Sequence, residues 1–111
     1  MKFLLMLAAV APEAMPSSAV PAKPLGNPSF WVLPSDYPAD ALRQMVEGTT
    51  AFQVTVDGMG SVAKCDIVES SGSPSLDAQT CTVVARRARF SPAKDAAGLP
   101  VQGTYQNRIR W

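Results

Sequence analysis

The stretch TAFQVTVDGMGSVAKCDIVE (residues 50–69) decides the fold, because it holds two strand-like segments on either side of a turn signal. Apolar residues alternate with polar ones in the first segment, so they share one face of a strand: they are Phe52, Val54 and Val56. Asp57-Gly58-Met59-Gly60 is typical of a hairpin turn, since glycine tolerates the positive φ that such turns need. The residues that we expect to face the core in the return segment, 61–69, are Ala63, Cys65 and Ile67. The stretch therefore predicts an antiparallel β-hairpin with one buried face.

A helix is predicted after the hairpin, beyond the break Ser70-Ser71-Gly72. Ser73 is suited to cap its N-terminus, and Pro74 suits its first turn. From about residue 75 to residue 88, one stripe recurs at helical spacing. That stripe consists of Leu76, Thr80, Val84 and Ala88, with Asp77 and Cys81 beside it. The pattern predicts a helix that packs across the hairpin.

Two further segments complete the predicted fold. Clean alternation from Val101 to Trp111 predicts a third strand. The run from Pro38 to Met45 predicts a short leading helix, which we expect Gly48 to end. The fold class is therefore expected to be α+β, in the order β-β-α-β. It would be a three-stranded antiparallel sheet with one main helix packed on one face and a short leading helix.

The first residues are typical of a secretory signal. Lys2 precedes the apolar run FLLMLAAVA (residues 3–11), which is shorter than the ~20 residues needed to cross a bilayer. We expect a signal peptide over residues 1–19, a Pro-rich extended segment over residues 20–35 and one folded domain over residues 36–111. Phe30 and Trp31 lie in the extended segment and are candidates to dock on the domain. The alternative is an uncleaved, membrane-proximal helix that anchors the domain at the inner membrane.

Cys65 and Cys81 are the two cysteines of the chain. In an oxidising compartment outside the cytoplasm a cysteine pair is usually a disulfide. Closing a loop of this size would add roughly 3 kcal/mol in the chain-entropy view. The alternative is two buried free thiols that act as small apolar residues.

The composition argues against most catalytic chemistry. The chain has no histidine, which excludes the Ser-His-Asp and Cys-His arrangements and the commonest metal ligand. A net charge of +1 gives no steering toward nucleic acid. Tyr105 and Trp111 also lie on the strand face opposite Arg108 and Arg110, which disfavours a single-stranded nucleic acid site. We therefore expect no enzyme activity, cofactor, metal, nucleic acid or small-molecule substrate.

Between residues 35 and 111 the chain contains a series of short sequence motifs. They are Tyr37-Pro38, Gly48, the strand residues Phe52, Val54 and Val56, Asp57-Gly58, Val62, Ile67, Ser70-Ser71-Gly72, Leu76-Asp77, the arginine-rich helix end, Phe90 and Pro92-Ala93. In this order and spacing the chain resembles the C-terminal domain of TonB energy transducers from Gram-negative bacteria. Two features differ from typical members: the apolar and Pro-rich stretches are short, and many members lack a cysteine pair.

The resemblance implies a periplasmic domain that takes part in TonB-dependent transport across the outer membrane. Domains of this family grip the TonB box, a short peptide of an outer-membrane transporter, which adds as a strand to the sheet edge. The resemblance implies that the strand after residue 101 is that edge, with Arg108 and Arg110 directed outward to an acidic partner. The candidate peptide-binding residues are Thr104, Gln106, Asn107, Arg108, Ile109 and Arg110.

A different class of function also fits the sequence. The chain could be a stand-alone secreted domain with a structural or regulatory role, without energy transduction. Such a domain would form a homodimer by pairing two exposed sheet edges. In that case the strand after residue 101 is sheet framework or a dimer contact.

Overall fold

The computed structural model describes residues 19–111, so the predicted signal peptide lies outside the described residues except for its final position. Within that range the chain forms seven strands, two α-helices and two 3-10 turns. They are β1 (Lys23–Pro24), the 3-10 turns Pro28–Phe30 and Pro34–Asp36, α1 (Ala39–Arg43), β2 (Thr49–Val56), β3 (Val62–Glu69), α2 (Pro74–Arg87), β4 (Phe90–Ser91), β5 (Ala93–Lys94), β6 (Pro100–Val101) and β7 (Gly103–Arg110). None of the helices in this part of the chain is long and apolar enough to cross a membrane.

The central sheet has three antiparallel strands in the order β3-β2-β7. Helix α2 packs against one face of it. Two short ladders, β1 with β4 and β5 with β6, lie beside this sheet. The predicted α+β class, with one main helix on a three-stranded antiparallel sheet, is confirmed.

The core lies between α2 and the sheet. Its largest fully buried apolar side chains are Phe52, Val54, Val56, Leu76, Val83 and Val84. Full burial of such a side chain contributes about 1.5–3 kcal/mol. The predicted helical stripe is confirmed, because its four members are all buried. Ser73 caps the helix as predicted, since its hydroxyl accepts a hydrogen bond from the backbone N–H of Leu76 at 3.4 Å.

Two register shifts in β3 change which of its side chains face the core. Val62 pairs with Val56 and Cys65 with Val54, so Ala63 is an extra residue between the two pairs. Ala63 is exposed, whereas Val62 packs against the core. The prediction that Ala63 faces the core is therefore wrong, because simple alternation does not anticipate a bulge. Cys65 keeps its predicted core-facing position.

The predicted disulfide between Cys65 and Cys81 is confirmed. The Cα atoms of the two residues are 5.7 Å apart, a usual separation for a bridge. The bond joins α2 to β3 and closes a loop with a sequence separation of 16.

The leading helix ends earlier than predicted, and for a different reason. Met45 has a φ of 56°, and the N–H groups of Met45 and Val46 donate to the carbonyls of Leu42 and Ala41. This is a Schellman-type end with a residue other than glycine in the left-handed conformation. Gly48 has another role: a Cβ there would lie 2.6 Å from the carbonyl oxygen of Ser71. A side chain at position 48 would therefore push the two segments apart.

The motifs Ser70-Ser71-Gly72 and Leu76-Asp77 meet at one carboxylate. Asp77 accepts hydrogen bonds from the N–H of Ser71 (2.9 Å), from its hydroxyl (2.7 Å) and from the hydroxyls of Thr50 (3.1 Å) and Ser70. Partial burial raises the pKa of Asp77, but these hydrogen bonds outweigh it, so the pKa lies below its ordinary value. The carboxylate thus joins β2, the turn after β3 and the first turn of α2.

Candidate functional site

The open edge of the sheet is the side of β7 that faces away from β2. It pairs with no other strand within residues 19–111. The pairing of β7 with β2 is continuous from Thr49 opposite Arg110 to Val56 opposite Gly103. The N–H of Trp111 donates to the carbonyl of Gly48 at 2.8 Å, which extends this register by one pair.

That bond shows which backbone groups of β7 point outward. In an antiparallel ladder every second residue exchanges hydrogen bonds with the neighbouring strand, and the residues between direct their N–H and C=O groups to the other side. Because Trp111 belongs to the first set, the odd-numbered residues of β7 bond to β2. The residues whose N–H groups point to the open edge are Thr104, Gln106, Arg108 and Arg110.

The opposite edge of the sheet differs from the open edge. Strand β3 contains two register shifts, with Ala63 and Val68 as its extra residues. Bulges twist an edge strand and make it a poor template for another strand. The disulfide at Cys65 also fixes β3 to α2. The regular edge of this sheet is therefore β7.

Residues of β7 line two grooves, one on each face of the sheet. The core-side groove has a volume of about 380 Å³ and separates β7 from the leading segment, residues 20–33. Its lining residues are Pro28, Ser29, Trp31, Val32, Phe52, Asn107, Arg108, Ile109 and Arg110. The solvent-side groove, of about 520 Å³, crosses the other face of the sheet. It is lined by Ala51, Phe52, Val68, Glu69, Gln106, Asn107 and Arg108. The two grooves meet at Asn107 and Arg108.

The far wall of the core-side groove is held by a buried aromatic residue and an ion pair. Trp31 is only 5% exposed, and its ring packs on Phe90 and Tyr105 with centroids 5.8 and 6.1 Å apart. Its carbonyl accepts a hydrogen bond from Arg87 at 2.8 Å, and Arg87 also pairs with Asp36 at 2.9 Å. Of the two aromatic residues predicted as docking candidates, Trp31 therefore docks. Phe30 does not, and it remains 73% exposed.

The Asp36–Arg87 pair sets the charge state of this wall. Hydrogen bonds from the Arg87 guanidinium and from the N–H of Leu33 lower the pKa of Asp36 from 3.8 to about 2. The same contact raises the pKa of Arg87. Both groups are therefore charged at neutral pH, and the leading segment is fixed to the end of α2.

The six candidate residues lie along one strand but on two faces. Thr104, Gln106, Arg108 and Arg110 project to the solvent face, whereas Asn107 and Ile109 project to the core side. This follows because Asn107 lies opposite buried Phe52 and Ile109 lies opposite buried Thr50. Gln106 donates to Gln53 across the sheet at 2.6 Å.

The arginine side chains differ from each other in their partners. Arg108 reaches across the solvent face to Glu69, 2.7 Å away, and both side chains are mostly exposed. Arg108 and Glu69 can meet because they flank Ala51 of β2 on its two sides. The expectation that Arg108 points outward to an acidic partner stays a prediction. Arg110 forms no ion pair within the described part of the chain.

Two features of the site were not predicted from the sequence: the wall that Trp31 and Val32 form beside β7, and the hydrogen bonds of the Asn107 side chain. The Trp31–Val32 wall comes from a segment without periodicity, and its signal was a tryptophan in a Pro-rich stretch. The second is the side chain of Asn107, which accepts a hydrogen bond from the N–H of Arg108 at 2.8 Å and donates one to the hydroxyl of Tyr105 at 2.8 Å. A hydrogen bond from a side chain to the backbone of its own strand does not change the alternation of polar and apolar residues, so that alternation does not predict it.

The fold and the open edge define a small α+β domain in which one helix backs a three-stranded antiparallel sheet. The chain belongs to the family described as the Gram-negative bacterial TonB protein C-terminal domain, whose family model matches residues 34–111. The fold is similar to the solution NMR structure of the Pseudomonas aeruginosa TonB C-terminal domain, with a TM-score of 0.58 and 22% identity. That match covers 81% of this chain and 84% of the other. No curated protein matches the chain. Membership implies a TonB-like role, a periplasmic location and an outer-membrane transporter as the general kind of partner.

Proposed function

We propose that this domain binds an extended peptide by strand addition along the open edge. The observation that carries the proposal is the regular edge of β7, with four outward N–H groups in a register free of shifts. Backbone hydrogen bonds to such an edge provide affinity without regard to side-chain identity. The other edge is bulged and cross-linked, which disfavours it as the site.

Selectivity would come from the two grooves. Side chains of an added strand alternate between its two faces, so every second one would enter the core-side groove and the others would lie over the solvent-side groove. The core-side groove offers apolar contacts from Trp31, Val32 and Ile109. Arg110 stands at its rim without an ion-pair partner among residues 19–111 and favours an acidic residue in the guest. The geometry thus suits a short peptide with an apolar residue beside a carboxylate.

The guest that we propose is the TonB box of an outer-membrane TonB-dependent transporter. Family membership supports this choice, because the domain belongs to TonB proteins of Gram-negative bacteria. The guest peptide would meet the domain in the periplasm, because the predicted signal peptide (residues 1–19) would direct this chain there. Candidate contact residues remain Thr104, Gln106, Asn107, Arg108, Ile109 and Arg110.

The test replaces Gln106 by proline, with Gln106→Ala as the matched control. Proline at position 106 removes an N–H that points to the open edge and costs no backbone hydrogen bond to β2. Gln106→Ala loses the same side chain and keeps that N–H. We expect Gln106→Pro to abolish binding of synthetic TonB-box peptides in calorimetry, while Gln106→Ala binds within about threefold of the parent, since surface side-chain changes are usually small. Equal binding by both variants would show that the peptide uses another surface.

The rival is a homodimer that pairs the same edge with a second copy. Light scattering on the unliganded protein separates the two, because a tight dimer sensitive to Gln106→Pro supports the rival. A monomer that binds peptide supports the proposal.

A further inference from the structure

We propose that Asn107 is a removable cap on the open edge, which withholds the N–H of Arg108 from a guest strand, so that pairing begins at the other outward N–H groups. The part that concerns a guest rests on the proposed function. The cap itself is a property of the free protein and is tested separately.

The cap is a pair of hydrogen bonds around one exposed amide. Asn107 Oδ1 lies 2.8 Å from the N–H of Arg108, a group that points away from β2. Asn107 Nδ2 donates to the hydroxyl of Tyr105, also at 2.8 Å. The amide therefore uses its acceptor on the strand edge and its donor on a side chain two residues earlier.

The anchor of the cap is itself held in place. The Tyr105 ring packs on Phe90 with a centroid distance of 5.1 Å and on Trp31 at 6.1 Å. Trp31 is fixed in turn through its carbonyl to Arg87. Asn107, in contrast, is exposed and lies where the two grooves meet. A guest can thus displace the amide while the anchor stays.

A cap of this kind protects a sheet edge from unwanted pairing with other strands. Unpaired N–H groups on a regular edge invite uncontrolled pairing, and proteins protect them with bulges, charges or prolines. Strand β3 carries two bulges, whereas β7 is regular. A side chain that covers one N–H leaves the other outward donors, at Thr104, Gln106 and Arg110, ready for a partner. Pairing at Arg108 then requires the amide to leave.

Amide hydrogen exchange in the free protein tests the cap without any peptide. We expect the Arg108 amide to exchange about two- to twelvefold more slowly than the Gln106 amide, after correction for intrinsic rates, as one net hydrogen bond allows. Asn107→Ala should remove that difference, and Asn107→Asp, which keeps an acceptor, should retain it. Equal rates in the parent, or an unchanged Arg108 rate in Asn107→Ala, would overturn the cap.

Peptide binding tests whether the cap hinders a guest strand. With synthetic TonB-box peptides, Asn107→Ala should bind about two- to twelvefold more tightly than the parent, because no capping bond has to break. Gln44→Ala, which truncates an exposed amide outside both grooves, should show no such gain. If the parent binds peptide and Asn107→Ala does not bind it more tightly, the cap does not hinder a guest strand and that part of the proposal is wrong. If the parent binds no peptide, the proposed function fails, while the exchange rates still decide whether the cap exists.

Discussion

Removal of the Asp77 carboxylate should destabilise the domain strongly, because this one group accepts several hydrogen bonds. Asp77→Ala deletes the acceptor of the Ser71 N–H, the Ser71 hydroxyl and the Thr50 hydroxyl in one step. Thr50 is 0% exposed, so water cannot replace the lost partner of its hydroxyl without rearrangement. Ser70 also donates to Asp77, but it is exposed and can turn to solvent.

The magnitude follows from these contacts. A buried donor that loses its partner costs about 1–3 kcal/mol, and a half-buried bond to a charged acceptor contributes at the low end of about 1.5–3 kcal/mol. Thr50 and Ser71 together therefore predict a loss of about 3 kcal/mol for Asp77→Ala. For a domain of this size that corresponds to a fall in Tm of about 12–24 °C. This would be a large part of the usual stability of a small domain, about 5–15 kcal/mol.

Urea denaturation followed by tryptophan fluorescence measures the loss as a change in midpoint at constant slope. Ser70→Ala is the control, because it removes the exposed donor alone and should cost less than about 1 kcal/mol. Asp77→Asn keeps the shape without the charge and should fall between the two. A loss below about 1 kcal/mol for Asp77→Ala would refute the reasoning, since no single buried donor would then depend on the carboxylate.

The remaining predictions concern pH and the disulfide. Because the folded-state pKa of Asp36 is about 2 and its ordinary value is 3.8, its contribution to stability is present above pH 3.8 and is lost as the pH falls toward 2. Acid titration of Asp36→Asn, followed by circular dichroism, should show less stability lost over this range, and an unchanged acid dependence would contradict it. Replacing Cys65 and Cys81 by serine should lower the free energy of unfolding by about 3 kcal/mol. Peptide affinity should not change, since the bridge lies on the strand farthest from the open edge.

The elements with strong periodicity could be predicted, because their pattern records one buried face. Strands β2 and β7 and helix α2 lie within a few residues of their predicted ranges. The prediction from alternation is wrong at Ala63, because Ala63 is the extra residue of a β-bulge. A bulge depends on how two paired strands twist together, and the local sequence does not indicate it. The long strand predicted from Val101 is interrupted at Gln102, because Val101 instead pairs with Ala93 in a short second ladder.

Of the candidate site, the backbone strand and the docking of Trp31 could be predicted. Alternation from Gly103 onward predicts a strand, and its place at the sheet edge follows from the order of the elements. The wall at Trp31 depends on a contact with Arg87, 56 positions away, and such long-range contacts leave no periodic signal. The same holds for Gly48, which was expected to end a helix but instead allows close approach of Ser71.

The covalent bridge divides the molecule mechanically. Cys65 and Cys81 stiffen the half of the domain made by β3 and α2. On the opposite flank β7 carries no covalent cross-link, and its only backbone ladder among the three central strands is with β2. Local fluctuations should therefore concentrate in the strand that carries the candidate residues, since elements with fewer cross-connections open at lower free energy. The domain therefore combines a rigid half, made by β3 and α2, with a more flexible candidate binding strand, β7.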